Sequence, residues 1–331
     1  MRAWLLDELT GVGGLHLAEI PDPVAQAGEV VLQVQYAALN PADRYLAERQ
    51  YPAKPQLPHV LGRDGMGTVV AVGPGVSGVS VGDRRLILRG EAGVERPGTF
   101  AERVAVPVDS LAEIPAGWDE KEAAGASLVY LTAHQALSMW GSLPSGSVVL
   151  VTGASGGVGV ASVQLAAALG LTVVALSRSE EKRVRLGHLG ASVCFDSAKP
   201  NWRLACKNAI APRRVELAID NVGGALLSEV VDTLGNGGKV SLVGRLAGPV
   251  PNFNTATLFF RRNRMGGVSA AANTSVESRS AWQEVLALLG PKGTRPVVDS
   301  VLPFDRLPDA FARLAAGPMG KVLLAGPGMT Q

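Results

Sequence analysis

A run of small residues, GASGGVG at 153–159, has the composition of a turn that holds a pyrophosphate. Residues 148–152 before it are typical of a buried strand, and residues 158–169 after it show a helical pattern. A strand, a glycine-rich turn and a helix in this order bring backbone N–H groups and a positive helix end to phosphate oxygens. The turn departs from the usual fingerprint at its first position, which is Ala154. The residues expected to contact a dinucleotide are Ser155, Gly156, Gly157 and Val158.

The end of the next strand, residues 172–176, bears on which nicotinamide cofactor binds. In a site that prefers NAD, an acidic residue about 20 positions past the glycines binds the ribose 2′-hydroxyl. Here polar and basic side chains follow the strand, and they would attract a 2′-phosphate. We therefore expect NADPH, although Glu180 and Glu181 lie nearby, and a solvated loop without a cofactor contact is the alternative. The expected contacts are Ser177, Arg178, Ser179 and Lys182.

Two kinds of pattern divide the chain near residue 120. Before it, short alternating runs at 30–35, 67–72 and 84–88 are separated by turn clusters, which predicts antiparallel, barrel-like β structure. After it, residues 120–136 predict helical structure, and strands then alternate with helices, which is typical of a parallel, doubly wound sheet. The predicted strands are 148–152, 172–176, 217–221, 238–243 and 266–269, and the predicted helices between them are 158–169, 180–189 and 226–234. The tail predicts a helix at 307–316 and a strand at 321–324.

Composition limits the class of protein. A chain of 331 residues with 47% hydrophobic and 18% charged residues predicts two globular domains. A net charge of +2 gives no sign of a nucleic-acid partner, and no apolar run is long enough for a membrane span. The two cysteines, Cys194 and Cys206, cannot form a disulfide framework. We expect a soluble, cytoplasmic protein.

Motifs in a fixed order run along nearly the whole chain. They are AALNPAD at 37–43, PHVLGRDGMGTV at 58–69, VG at 72–73, VGDR at 81–84, ASGGVG at 154–159, DNVGG at 220–224 and the closing segment 302–322. Together they resemble the zinc-independent quinone oxidoreductase group of the medium-chain dehydrogenase/reductase superfamily. The resemblance implies a GroES-like catalytic domain at 1–123 and 271–331 and a Rossmann NADP-binding domain at 124–270. It also implies a homodimer, formed through an edge strand near residues 266–270.

Zinc ligands are missing at the positions where this superfamily has them. By the resemblance, Asn40 replaces a cysteine, Arg63 replaces a histidine and Asp64 replaces the following glutamate. A guanidinium cannot ligate zinc, and the four-cysteine lobe expected near residues 90–110 is absent from the sequence. The scattered histidines, which show no metal-like spacing, are His16, His59, His134 and His188. We therefore expect no metal.

Polar residues of the first domain are the catalytic candidates. Without a Lewis acid, hydride addition to a quinone or an α,β-unsaturated carbonyl is easier than alcohol oxidation, because hydrogen bonds can stabilise the resulting anion. The resemblance places Asn40 and Tyr45 by the nicotinamide and the substrate. Tyr45 or Tyr51 would hydrogen-bond the substrate oxygen or relay a proton, with domain packing as the alternative, and solvent is a further proton source. Arg63 either stabilises an oxyanion or forms an ion pair with Asp43 or Asp64.

Further nicotinamide contacts are expected at two strand ends and one helix. Thr132 resembles a family residue close to the nicotinamide, with a structural helix position as the alternative. The ends of the predicted strands 238–243 and 266–269 lie on the ligand side of such a sheet. They contribute Val243, Gly244, Arg245, Val268 and Ser269. Arg245 either reaches substrate or faces solvent.

Three function hypotheses follow. The first is an NADPH-dependent reductase of quinones or α,β-unsaturated carbonyls. The second is a reductase of enoyl thioesters. The third is a non-enzymatic NADPH-binding protein with a structural, regulatory or RNA-binding role, and the balanced charge argues against its RNA-binding form.

Overall fold

The computed structural model describes residues 1–88, 91–250 and 253–329, which form two compact units. Unit 1 comprises Met1–Leu128, Asn273–Trp282 and Arg295–Gln331, and unit 2 comprises Val129–Ala272 and Gln283–Thr294. The strands are β1 (Arg2–Leu6), β2 (Leu15–Glu19), β3 (Glu29–Ala38), β4 (His59–Val60), β5 (Gly65–Val72), β6 (Arg84–Ile87), β7 (Arg103–Pro107), β8 (Leu111–Glu113), β9 (Val148–Val151), β10 (Thr172–Leu176), β11 (Val193–Phe195), β12 (Val215–Asp220), β13 (Leu234–Leu242), β14 (Arg264–Gly267), β15 (Val298–Pro303) and β16 (Lys321–Ala325). The helices are α1 (Pro41–Ala47), α2 (Glu120–Ala124), α3 (Ser127–Ser138), α4 (Gly157–Ala168), α5 (Glu180–His188), α6 (Trp202–Ile210), α7 (Ala225–Thr233), α8 (Ala256–Arg261), α9 (Ser275–Leu289) and α10 (Leu307–Ala315).

Unit 1 is built mainly from antiparallel strands, as the alternating sequence pattern predicts. Its larger sheet has the order β15-β16-β3-β5-β6-β8, with β7 also paired to β3, and only β15 and β16 run parallel. A smaller sheet has the order β2-β1-β4. Strand β3 is central and almost entirely buried, which suits its run of Val, Leu and Tyr residues.

The C-terminal segment completes the core of unit 1. The indole Nε1 of Trp4 donates a hydrogen bond to the carbonyl oxygen of Phe304 at 2.9 Å. The ring of Phe100 meets the ring of Phe311 edge to face, with 5.9 Å between centroids. Because these contacts join the two ends of the chain, the N-terminal strands cannot form their full core without the tail.

Unit 2 contains the predicted parallel, doubly wound sheet, in the order β11-β10-β9-β12-β13-β14. The chain runs outward in one direction from β9 and in the other from β12, so the order reverses between these two strands. Ligands of such sheets bind at the carboxyl edge of this reversal. Strand β14 ends at Gly267, two residues earlier than predicted. None of the described helices is long and apolar enough to cross a membrane.

The helical pattern at 120–136 forms two helices, α2 and α3, rather than one. The capping box of Asp119 and Glu122 starts α2, which stops at Gly125. A Cβ at Gly125 would lie 3.2 Å from Cβ of Lys321, so this turn passes close against β16. The interruption therefore comes from tertiary packing, which local periodicity does not contain.

Burial of one histidine in β4 makes the fold sensitive to acid. His59 is only 2% exposed. Burial lowers the pKa of its imidazole below the usual 6.5, a hydrogen bond with the Gly93 backbone opposes this, and the charge of Arg63 adds to the lowering. The folded state therefore favours the neutral imidazole of His59.

We predict a loss of stability below pH 6.5 that depends on His59. The unfolded chain binds the imidazole proton there more readily than the folded chain, so stability falls as pH decreases, by up to about 1.4 kcal/mol per pH unit. Thermal unfolding between neutral and mildly acidic pH compares the wild type with His59→Gln, which lacks this proton. Parallel pH profiles for the two proteins would contradict the prediction.

Candidate functional site

The turn after β9 explains why alanine stands at the first position of the fingerprint. The residue with the left-handed backbone is Gly153, at φ +56°, one position earlier. The N–H of Gly156 donates to the carbonyl of Gly153 at 3.0 Å, which closes the turn. Ala154 is fully buried, and its N–H donates to the carbonyl of Leu176 at 3.1 Å. Its side chain therefore packs inward, away from a ligand.

Helix α4 starts directly after this turn and lies against it without intervening side chains. A Cβ at Gly159 would clash with the carbonyl oxygen of Gly153 and would lie 2.7 Å from Cα of Ala154. Only glycine permits this approach, which brings the N-terminal N–H groups of α4 to the end of the strand. The predicted contacts, from Ser155 to Val158, are all partly exposed. The residues present therefore fit a dinucleotide pyrophosphate.

The end of β10 carries polar and basic groups. Ser177 is buried, Arg178 is exposed, and Ser179 caps α5 by accepting a hydrogen bond from the N–H of Lys182 at 3.3 Å. Arg183, which sequence reasoning missed, donates to the carbonyl oxygens of Ser177 at 2.8 Å and Arg178 at 3.0 Å. These two hydrogen bonds hold the end of β10 in a fixed conformation beside the turn after β9.

A buried carboxylate ties the neighbouring strand ends together. Asp220 is fully buried, and its Oδ1 accepts a hydrogen bond from the hydroxyl of Thr152 at 2.6 Å. Its Oδ2 accepts from the N–H of Gly223 at 3.0 Å, and its carbonyl accepts from the N–H of Val243 at 2.9 Å. The ends of β9, β12 and β13 are thereby held at one edge of the sheet.

The structure brings most of the predicted cofactor residues of unit 2 to this edge. The predicted contacts at 155–158 lie at the turn after β9, and those at 177–182 follow the end of β10. The remaining contacts follow the ends of β13 and β14. These last contacts are Val243, Gly244, Arg245, Val268 and Ser269. Arg245 and Ser269 are exposed, whereas Thr132 lies half-buried on α3 rather than on a strand end.

In unit 1, Arg63 forms a buried ion pair, one of the alternatives that the sequence left open. Its Nε donates to Oδ1 of Asp43 at 3.3 Å, so the partner is Asp43 rather than Asp64. Burial raises the pKa of the Asp43 carboxyl, and the charge of Arg63 works against that rise. Arg63 Nη1 also donates to the hydroxyl of Tyr51 at 3.1 Å, with the guanidinium 4.6 Å from the centre of the tyrosine ring.

A second buried pair, between Lys321 and Asp64, was not found from the sequence. Lys321 is 3% exposed, and its Nζ donates to Asp64 Oδ2 at 3.1 Å, Asn40 Oδ1 at 2.6 Å and the carbonyl of Leu39 at 3.0 Å. The hydroxyl of Ser127 donates to Asp64 Oδ1 at 3.0 Å. The ammonium thus has three acceptors for its three protons. In the sequence, the local sign of this buried pair is a lysine at the start of an otherwise apolar predicted strand.

Asn40 joins the two ion pairs. Its amide Oδ1 faces Lys321, and its Nδ2 donates to the carbonyl of Ala38 at 3.1 Å. Its backbone N–H donates to Oδ2 of Asp43 at 2.8 Å, which forms the capping box of α1. Asn40, Tyr51 and Arg63 therefore belong to one network, and Tyr45 lies on the helix that this network starts.

The residues at the expected zinc positions are engaged with one another. Asn40 and Asp64 share the Lys321 ammonium, and Arg63 is paired with Asp43. Among the described residues, no group of three or more His, Cys, Asp or Glu side chains could hold a metal ion. Burial also raises the pKa of both thiols, that of Cys206 to about 11, so neither is a thiolate at neutral pH.

Comparisons with known proteins find relatives along the whole chain. The sequence profile of the alcohol dehydrogenase GroES-like domain matches residues 26–116, and that of zinc-binding dehydrogenases matches residues 157–301. The chain is 28% identical to the quinone oxidoreductase of Sus scrofa, over 93% of this chain and 92% of the relative. It is 31% identical to the synaptic vesicle membrane protein VAT-1 homolog of Homo sapiens, over 96% of this chain and 86% of the relative.

Two solved structures share the fold. An NAD-dependent alcohol dehydrogenase superposes with a TM-score of 0.90 at 30% identity, covering 98% of this chain and 99% of the other. A mycobacterial protein complexed with NADPH superposes with a TM-score of 0.88 at 28% identity, covering 98% and 99%.

We predict that Lys321 and Asp64 are strongly coupled in stability. Lys321→Met leaves the Asp64 carboxylate buried without its cation, which costs about 3–5 kcal/mol of unfolding free energy. Adding Asp64→Asn removes the unpaired charge, so the double variant is more stable than the sum of the single effects. Urea unfolding measures this cycle.

A surface ion pair provides the control for this cycle. Arg203 lies 2.8 Å from Asp232, and both side chains are exposed. Arg203→Met should cost less than about 1 kcal/mol. Additive effects of the Lys321 and Asp64 substitutions would show that the buried pair is not coupled.

Proposed function

The chain belongs to the medium-chain dehydrogenase/reductase superfamily, in its quinone oxidoreductase group, and from that membership we propose that it reduces quinones or α,β-unsaturated carbonyls with NADPH and without zinc. The oxidoreductase class and a nicotinamide cofactor follow from the family. The observation that carries the finer proposal is the buried network of Arg63, Asp43, Asn40, Lys321 and Asp64.

The network supports a reaction without metal. One matching profile, over residues 157–301, is named for zinc-binding dehydrogenases. Asn40 and Arg63 lie instead in the GroES-like match at 26–116, at positions where the resemblance to the superfamily expects zinc ligands. The Lys321 ammonium lies 2.6 Å from Asn40 Oδ1 and 3.1 Å from Asp64 Oδ2. A divalent cation at these oxygens would have to displace this ammonium and would be repelled by Arg63.

The absence of zinc ligands favours conjugated carbonyl substrates. Alcohol oxidation depends on a Lewis acid that promotes loss of the hydroxyl proton. A quinone or an enone instead needs a hydride, which NADPH supplies when bound, and hydrogen-bond donors for the resulting oxyanion. In this proposal the residues at the turn after β9 hold the cofactor, and the donors are the polar residues that the resemblance places by the substrate.

Tyr51 is the donor that the contacts favour. Its hydroxyl oxygen accepts a hydrogen bond from Arg63 Nη1 at 3.1 Å, so its own proton remains for another acceptor. The side chain is half-buried, whereas Arg63 and Asp43 behind it are buried. We assign Tyr51 to the substrate oxygen and Arg63 to holding the phenol. Tyr45, on α1, is the second candidate.

The end of β10 supports NADPH over NADH. The two solved structures name NAD in one case and NADPH in the other, so the choice rests on this chain's own residues. Ser177 stands directly after the strand, and Arg178 is exposed beside it. Both carboxylates of this region, Glu180 and Glu181, belong to the first turn of α5. A 2′-phosphate would find a cation and hydroxyl donors here.

Assembly and location complete the proposal. Strand β14 is the terminal strand of the parallel sheet, and within the described part of the chain no further strand pairs with its outer edge. A second copy of the chain could extend the sheet there. We propose a homodimer through β14 in the cytoplasm, with a small-molecule substrate and no nucleic-acid or membrane partner.

We predict that Arg178→Ala weakens NADPH binding about tenfold, because one charge-assisted hydrogen bond to the 2′-phosphate is lost. The dissociation constant for NADH should stay unchanged, since NADH lacks that phosphate. Fluorescence titration measures both. Arg185→Ala removes another exposed arginine, from within α5, and is the matched control. Equal weakening of both cofactors in Arg178→Ala, or a wild type that prefers NADH, would refute the assignment.

Turnover with a substrate panel tests the reaction itself. NADPH oxidation should be fastest with quinones or alkenals and slower with enoyl thioesters. We expect Tyr51→Phe to lower kcat about 100-fold, because it removes the proton that meets the oxyanion, with unchanged affinity for NADPH. Tyr45→Phe, measured in parallel, shows whether the second tyrosine contributes. Cofactor binding without turnover on any substrate would contradict the proposal, and an undiminished kcat in Tyr51→Phe would remove this residue from it.

A further inference from the structure

One buried acceptor at the sheet reversal has no hydrogen-bond partner. Asn221 follows β12 directly and is 8% exposed. Its Nδ2 donates to the carbonyl of Thr152 at 2.8 Å, and its backbone N–H donates to the hydroxyl of Thr152 at 2.9 Å. Its Oδ1 is buried, and among the described residues nothing donates to it. A buried acceptor of this kind requires an explanation, and a bound ligand is one.

The neighbours of Asn221 hold it in place and pack closely against it. The Nδ2 contact fixes the amide plane, so Oδ1 cannot exchange places with the nitrogen without losing the bond to Thr152. A Cβ at Gly153 would lie 3.5 Å from Cβ of Asn221, and a Cβ at Gly244 would lie 2.8 Å from its carbonyl oxygen. Positions 153 and 244 are glycines, so the backbone of both segments comes close to Asn221.

The order of the strands tells which half of a dinucleotide reaches Asn221. The pyrophosphate site lies at the turn after β9, and the 2′-phosphate site proposed above lies after β10, on one side of β9. Asn221 follows β12, on the other side of β9. A dinucleotide whose adenosine half extends toward β10 therefore extends its nicotinamide half toward β12.

The chemistry of the acceptor identifies the contacted group. Phosphate oxygens at neutral pH are acceptors, so the pyrophosphate cannot satisfy Oδ1. The first donors beyond the pyrophosphate are the hydroxyl groups of the ribose. We propose that Asn221 Oδ1 accepts a hydrogen bond from a hydroxyl group of the nicotinamide-side ribose and so positions that half of the cofactor. This inference rests on the proposed function, because it assumes a bound nicotinamide dinucleotide.

Three ligands of decreasing length test the assignment. NADPH carries both riboses and the nicotinamide, and 2′-phospho-ADP-ribose lacks only the nicotinamide. 2′,5′-ADP also lacks the second ribose and the phosphate attached to it. In Asn221→Ala, the dissociation constants of NADPH and 2′-phospho-ADP-ribose should rise about tenfold, while that of 2′,5′-ADP stays unchanged. Asn221→Ser, which keeps a polar group but not the reach of Oδ1, should give the same pattern. Calorimetric titration measures the constants, and thermal unfolding verifies the fold.

Thr152→Val is the structural control, because it loosens the strand ends without altering Oδ1 of Asn221. It should weaken all three ligands alike. The same uniform weakening in Asn221→Ala would overturn the inference, since Asn221 would then only support the sheet edge. Weakening of NADPH alone would also overturn it, since the contact would be to the nicotinamide base.

Failure of the proposed function has a different signature. The series NADH, ADP-ribose and AMP is titrated alongside the phosphorylated ligands. A wild type that prefers this second series refutes the choice of NADPH, and the same pattern across it still tests Asn221. A wild type that binds no ligand of either series refutes the proposed function, and the ribose contact with it.

Discussion

A buried ammonium, that of Lys321, sets the geometry of unit 1. A charge so deeply buried is stable only with its counter-charge and a full set of acceptors. These come from Leu39, Asn40 and Asp64, residues that stand 282, 281 and 257 positions earlier in the chain. Strand β16 therefore fixes the start of α1, at Asn40, and the segment that leads into β5, at Asp64. The positions of Tyr45, Tyr51 and Arg63 depend on those two segments.

The same network connects structure with chemistry. Its inner members, Lys321 and Arg63, are cations, and its two carboxylates balance them without a metal. Tyr51 is its half-buried member, and its hydroxyl is held by Arg63 with a proton to donate. In unit 2 the constraint is different, because glycines at 153, 159 and 244 keep side chains away from the sheet edge. The network of unit 1 thus holds a tyrosine hydroxyl in place, and the sheet edge of unit 2 includes exposed backbone and the fixed amide of Asn221.

Sequence patterns predicted what local periodicity and glycine spacing can encode. The parallel sheet and the turn after β9 appeared at the predicted places, because buried strands and tight turns have strong local signatures. The partner of Arg63 stayed open, since Asp43 and Asp64 are both carboxylates and only tertiary structure separates them. Lys321 was missed because its partners lie so far away in sequence. Asn221 was missed because the fingerprint directs attention to glycines, and an unpartnered oxygen is visible only in three dimensions.

Turnover in the absence of metal tests the central claim most directly. The purified chain would be treated with a chelator, its zinc content measured by elemental analysis, and its oxidation of NADPH by a quinone followed before and after. The account predicts the same rate at negligible zinc content, with no increase when zinc is added back. Activity that disappears with the chelator and returns with zinc would contradict it.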